Sequence, residues 1–261
     1  MTSTSTSPLA RVVRGSGPGL LLAHGGTGSI EGNYGPILDG LAERRRVVGP
    51  DYPGSGCTPR ANGPLDLDTL ADQLVATAVE EGVETFAIAG YSLGGPVALR
   101  AATRHPERVT ALVLTATFAH PSARMRLLVE DWLRLLRSGD REAAARWTTL
   151  VAAGAPYLDR MTPEELATLI AYARDSVPPG AVDQVELVGR VDVREDLGRI
   201  RVPTLVISTA LDTMATPYHH RQVADGIPGA RFAELASGHL PFAEAPGEWL
   251  GLIRAFLDAQ A

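Results

Sequence analysis

Along the chain, short apolar runs rich in branched residues alternate with stretches whose apolar positions recur at helical spacing. That alternation is the pattern of βαβ units feeding a parallel sheet. Strands are expected at Leu9–Arg14, Gly19–Ala23, Val47–Gly49, Thr85–Ala89, Val109–Leu114, Thr204–Ser208 and Arg231–Leu235. Helical spacing fills the intervals at Tyr34–Arg44, Leu67–Glu81, Gly94–Arg104, Tyr218–Gly226 and Pro246–Ala259. In the last of these, Trp249, Leu250, Ile253, Phe256 and Leu257 fall on one face, as an amphipathic helix requires.

The rhythm changes between Leu114 and Pro203, where the pattern from Pro121 to about Arg199 is almost wholly helical. Leu127, Leu128, Trp132, Leu135 and Leu136 make one stripe, and Leu166, Leu169, Ile170 and Tyr172 another. Thr162-Pro163-Glu164-Glu165 opens the second helix with a cap residue, a proline at the first position and early acids. Val177-Pro178-Pro179-Gly180 then breaks it. The expected architecture is therefore α/β, a mostly parallel sheet with helices on both faces, with residues 1–118 and 200–261 as the core. Residues 119–199 are a helical lid inserted between two strands, over the sheet edge where open α/β sheets bind ligands. A helical layer with no gating role is the alternative.

Candidate chemistry sits at strand ends. Gly90-Tyr91-Ser92-Leu93-Gly94-Gly95 follows one expected strand and precedes a helix. A strand-to-helix turn sharp enough to project a serine hydroxyl strains the backbone and leaves no room for side chains two residues to either side. Ser92 is the expected nucleophile, facing the N-terminal amides of the following helix, which favour developing negative charge. A serine needs a base. Of six histidines, His24 reads as loop scaffold, His105 as a helix exit, and His120 lies at the lid junction. His219 and His220 begin a helix as exposed residues and are the fallback. His239, in Ala236-Ser237-Gly238-His239 after the last strand, is the expected base. The orienting acid is Asp212, just past the strand ending at Ser208. The preceding strand's loop, Thr115 to His120, has no carboxylate, and Asp183, Asp192 and Asp196 would have to reach down from the lid. An oxyanion hole needs two backbone donors. Leu93 supplies one and Gly26, with Thr27 as the alternative, the other.

With His24-Gly25-Gly26 and Asp51-Tyr52-Pro53-Gly54-Ser55-Gly56 added, the chain resembles the α/β-hydrolase superfamily in its lidded branch, from about Leu9 to the C-terminus. The resemblance implies a Ser-His-Asp triad, an acyl-enzyme route and no cofactor. The serine at the elbow sets the chain apart from members that place aspartate there. The region before Gly19 is short, which leaves room for only a reduced set of leading antiparallel strands.

Net charge of −6 with no basic run lacks the footprint of a nucleic-acid binder. All 24 basic residues are arginine, so no lysine nucleophile exists. The single cysteine, Cys57, excludes an intrachain disulfide and reads as a small filler. Met1 to Pro8 reads as a frayed tail rather than a signal peptide, and no apolar run is long enough to cross a membrane. Cytoplasmic location is the default, with no metal site, nucleic-acid partner or membrane partner, as a monomer or homodimer. Tyr91, Phe118, Trp132 and Thr27 are expected to line the substrate site, and Tyr34 is a further hydroxyl candidate for it. Hydrolysis of a carboxylic ester, lactone or thioester of a moderately large, mostly apolar small molecule is the expected reaction. Acyl transfer, cyclisation or C–C cleavage by the same triad, or a ligand-binding role on the same scaffold, are the alternatives.

Overall fold

The computed structural model describes residues 9–260, so the expected tail at Met1 to Pro8 lies outside the described residues. Its sheet has seven strands: β1 (Arg11–Arg14), β2 (Gly19–Ala23), β3 (Arg46–Pro50), β4 (Phe86–Tyr91), β5 (Val109–Thr115), β6 (Thr204–Thr209) and β7 (Arg231–Leu235). Their order is β1-β3-β2-β4-β5-β6-β7. Only β1 runs antiparallel, against β3; every other neighbouring pair is parallel. Among the described residues the leading antiparallel part is thus one four-residue edge strand.

Period-two alternation decides which side chain joins which layer. Leu20 and Leu22 point to a layer built with α1 (Ile30–Ala42) and α12 (Pro246–Asp258), while Leu21 and Ala23 face α2 (Leu67–Glu80), α3 (Gly94–Arg104) and α10 (Pro217–Gly226). Both faces are covered, as a parallel sheet requires. Between β5 and β6 lie α4 (Ala123–Ser138), α5 (Arg141–Ala152), α6 (Ala155–Asp159), α7 (Pro163–Asp175), α8 (Ala181–Val188) and α9 (Arg194–Leu197); α11 (Pro241–Glu244) follows β7. The start of α7 carries a full capping box: Thr162 Oγ1 accepts from the Glu165 amide and Glu165 from the Thr162 amide.

Two expectations are corrected here. Helix α1 begins at Ile30 rather than Tyr34, because Ser29 caps it by accepting from the Gly32 amide at 3.0 Å. In α4 the buried side chains are Met125, Val129 and Trp132, and Leu127 is 66% exposed, so the apolar stripe is rotated from the one expected.

Trp249 joins the α12 layer to the sheet. It is fully buried, stacks on Tyr34 at 5.3 Å and donates from Nε1 to Thr115 Oγ1 at 3.0 Å. Trp249→Ala leaves a large cavity and an unpaired hydroxyl; chemical denaturation should show a loss of about 3–5 kcal/mol.

Candidate active site

Strand β4 runs directly into Ser92, whose φ of 52° is left-handed, a region that costs a residue with a Cβ roughly 1–2 kcal/mol. The turn needs its glycines. A Cβ on Gly90 would stand 2.5 Å from the Gly94 carbonyl oxygen, and one on Gly94 2.0 Å from that of Ala23. The Ser92 amide donates to Thr115 O at 3.0 Å and its carbonyl accepts from Thr117 Oγ1 at 2.9 Å. The hydroxyl is thereby carried on a clamped backbone. Among the described residues the other non-glycine positions of positive φ are Thr27 (60°) and Ala116 (52°), beyond the ends of β2 and β5, which flank β4. Strain is concentrated at this one edge.

His239, on the loop after β7, places Nε2 2.9 Å from Ser92 Oγ and Nδ1 2.6 Å from Asp212 Oδ2. Asp212, on the loop after β6, is buried. Its remaining capacity is satisfied by the Thr209 hydroxyl at 2.9 Å and by the amides of Met214 and Ala215 at 2.8 and 3.1 Å. A carboxylate so surrounded by donors has one direction left for the imidazole proton, which sets Nδ1–H and leaves Nε2 as the acceptor facing Ser92. The ring is also held from behind. The Tyr91 hydroxyl donates to the His239 carbonyl at 2.7 Å, and the His239 amide to Ala152 O at 2.6 Å.

The residues expected to supply the oxyanion donors are neighbours. A Cβ built on Gly26 would stand 3.8 Å from Leu93 Cδ2, and among the described residues neither amide has a protein acceptor. The Thr27 amide is engaged by Gln184 Oε1 at 2.8 Å, so Thr27 is corrected as an alternative donor.

A cavity of about 820 Å³ opens on Ser92 and His239, lined mostly by apolar groups that include Met125, Leu128, Trp132, Val188 and Phe242. Thr27, Tyr91 and Trp132 line it. Phe118 does not: it is fully buried in the core on the α3 side of the sheet. Tyr34 is equally internal, its hydroxyl donating to Ala89 O at 2.9 Å. His219 and His220 are buried rather than exposed, and His220 Nε2 lies 3.8 Å from Asp212 Oδ2. Cys57 is exposed and fills no core space. Asp183, Asp192 and Asp196 pair with Arg60, Arg194 and Arg100.

Sequence reasoning missed two residues that tie the helical insertion to this edge. Glu244 accepts from the Gly238 amide at 2.7 Å and the Gly154 amide at 3.2 Å, and Gln184 reaches the Thr27 amide. Neither carries a local signature, since each partner is brought in by the fold. Among the described residues no group of three or more His, Cys, Asp or Glu is arranged to hold a metal ion, and no helix is long and apolar enough to cross a membrane.

The family model of the alpha/beta hydrolase fold matches residues 18–246. The chain is 34% identical over 247 residues to a pyrrolizixenacetamide deacetylase from Xenorhabdus hominickii, covering 94% of this chain and 92% of the relative. It is 31% identical over 231 residues to a putative carbamate hydrolase from Azorhizobium caulinodans, covering 87% and 85%. Among solved structures, the enol-lactonase from Burkholderia xenovorans LB400 superposes with a TM-score of 0.86 at 24% identity over 96% of each chain.

Burial pushes the His24 imidazole down to about 4, opposed by its bond to the Gly25 carbonyl, and pushes His220 to about 4 as well, opposed by the Asp212 charge. Both rings are neutral in the folded protein, and His24 Nε2 accepts from the Tyr52 amide at 2.9 Å. The unfolded chain takes up these protons near pH 6.5 and the folded protein only near 4. Stability is therefore fully present above about pH 6.5 and falls as pH drops toward 4, by up to roughly 3 kcal/mol per ring. Urea midpoints measured from pH 7 to 4 should show this limb, and His24→Gln, which keeps an acceptor for Tyr52, should make it shallower.

Proposed function

The chain belongs to the alpha/beta hydrolase fold family and is an esterase-like hydrolase, and from that premise we propose that Ser92, His239 and Asp212 are its catalytic triad, acting through an acyl-enzyme. The observation that carries this reading is the unbroken hydrogen-bonded chain from Ser92 Oγ through His239 to a fully satisfied Asp212, opening onto one apolar cavity. Ser92 Oγ attacks the substrate's carbonyl carbon as His239 Nε2 takes its proton. Asp212 holds the tautomer and stabilises the imidazolium. The amides of Leu93 and Gly26 receive the oxyanion, each worth about 3 kcal/mol of transition-state stabilisation. The intermediate collapses as His239 gives the proton to the leaving group. Water, activated by the same nitrogen, then releases the acid and restores Ser92.

The substrate is a carboxylic ester, lactone or thioester whose apolar bulk fills the cavity between the sheet edge and the helices of 119–199, which serve as its lid. A volume of about 820 Å³ suits a drug-sized molecule rather than a minimal acetate ester. Amide cleavage is a second reading, favoured by the 34%-identical relative named a deacetylase; the triad serves it equally, since His239 protonates a nitrogen leaving group as it does an oxygen.

A fluorophosphonate should label the protein on Ser92. Ser92→Ala should lose labelling and about 10⁴-fold or more in kcat, with far-UV circular dichroism unchanged. Asp212→Asn should lose about 10⁴-fold while still folding. Undiminished turnover in Ser92→Ala would remove the nucleophile assignment.

A further inference from the structure

We infer that Gln184, carried by the helical insertion, is a positioning residue for the oxyanion hole, so that turnover requires α8 to be seated on the core. The inference rests on the reading of Ser92 as an acylated nucleophile. The Gln184 side chain is fully buried and meets two core loops at once. Its Oε1 accepts from the Thr27 amide at 2.8 Å, and its Nε2 donates to Ser55 Oγ at 2.8 Å and to Pro53 O at 3.2 Å. The amide orientation is forced, because the Thr27 N–H can only donate and the Pro53 carbonyl can only accept. Ser55 passes the link on, donating its hydroxyl to Gly28 O at 2.6 Å.

The consequence lies in which amide is left over. Within Gly25–Gly28, the Gly25 amide is taken by Asn33 Oδ1 at 3.0 Å, that of Thr27 by Gln184, and that of Gly28 by Gly25 O at 3.3 Å. Only the Gly26 N–H has no protein acceptor among the described residues. Gln184 thus holds the Gly26–Thr27 peptide at the strained Thr27 (φ 60°), while the Gly25–Gly26 peptide that carries the Gly26 N–H is held on its other side by Gly25 O, which accepts from His24 Nδ1 at 2.8 Å and from the Gly28 amide at 3.3 Å. Val188, one turn along α8, lies 3.5 Å from a Cβ built on Gly26, so the same helix packs against the donor it orients. The helix itself is docked by the Gly180 amide on Gly54 O at 3.0 Å and by Arg60 on Asp183 at 2.9 Å. An α8 displaced from this seat leaves the Thr27 amide unpaired and the Gly26 N–H anchored on its N-terminal side alone.

The test compares wild type with Gln184→Met, which keeps length and removes both polar atoms, and Gln184→Glu, which keeps the acceptor for Thr27 but sets a carboxylate oxygen against Pro53 O. Each is assayed with a 4-nitrophenyl ester, a trifluoromethyl ketone that forms an oxyanion on the serine, and an ether of the same shape that cannot. For Gln184→Met, kcat should fall about 10–100-fold with KM little changed. Trifluoromethyl ketone affinity should fall by the same factor as kcat/KM, and ether affinity should hold; Gln184→Glu should show the same split to a smaller degree. If Gln184→Met does not fold by thermal melt, the Gln184→Glu comparison decides. A folded variant with wild-type kcat, or equal losses for ketone and ether, overturns the positioning role. Wild-type protein that neither turns over the ester nor takes up a fluorophosphonate overturns instead the nucleophile reading beneath it.

Discussion

The approach of α3 to the end of β2 is the constraint from which the site follows. Helix α3 packs so close to the sheet that a side chain at Gly94 would collide with the Ala23 carbonyl, and the chain enters it from β4 by turning at Ser92 with a left-handed backbone. That turn lifts the hydroxyl off the sheet edge, to 2.9 Å from His239 Nε2. The strain is held by bonds on both sides of the serine, from its amide to Thr115 and from Thr117 to its carbonyl. Backbone strain persists only where its surroundings over-determine it, and here the end of β5 and the loop that follows it do so.

Parallel strands then solve the assembly problem. Because β2, β4, β6 and β7 all run the same way, their C-terminal ends put Gly26, Ser92, Asp212 and His239 along one rim although they lie far apart in sequence. The carboxylate is buried, yet three donors besides the imidazole compensate it, which is the condition for a buried charge to be tolerated. The insertion is bonded to the same rim at two places, through Ala152 and Glu244 beside His239 and through Gln184 beside Gly26. The helices over the cavity and the groups beneath them form one hydrogen-bonded assembly.

What could be read from the sequence follows from the range of the forces involved. The strands, their mostly parallel sense and the elbow are legible because alternation and glycine spacing are local consequences of sterics, and the loops of Asp212 and His239 are legible because each follows an identifiable strand. Aromatic and histidine residues are a different matter. Phe118 and Tyr34 have the same composition signal whether they face core or cavity, and only the three-dimensional packing separates them from Trp132. His219 and His220 look like the exposed start of a helix until α10 is laid against β6. Gln184 is invisible because its partner is 157 residues away, and no spacing rule reaches that far.

The proposed reaction passes through a covalent bond between the substrate acyl carbon and Ser92 Oγ. Rapid acid quenching of the enzyme during turnover of a bulky 4-nitrophenyl ester, followed by intact-mass and peptide mass spectrometry, looks for that bond directly. The expected result is the acyl mass increment on the peptide containing Ser92, present in wild type and lost in Ser92→Ala. An acyl group on any other residue, or ester turnover through a direct attack of water with no adduct at any quench time during a kinetic burst, would contradict it.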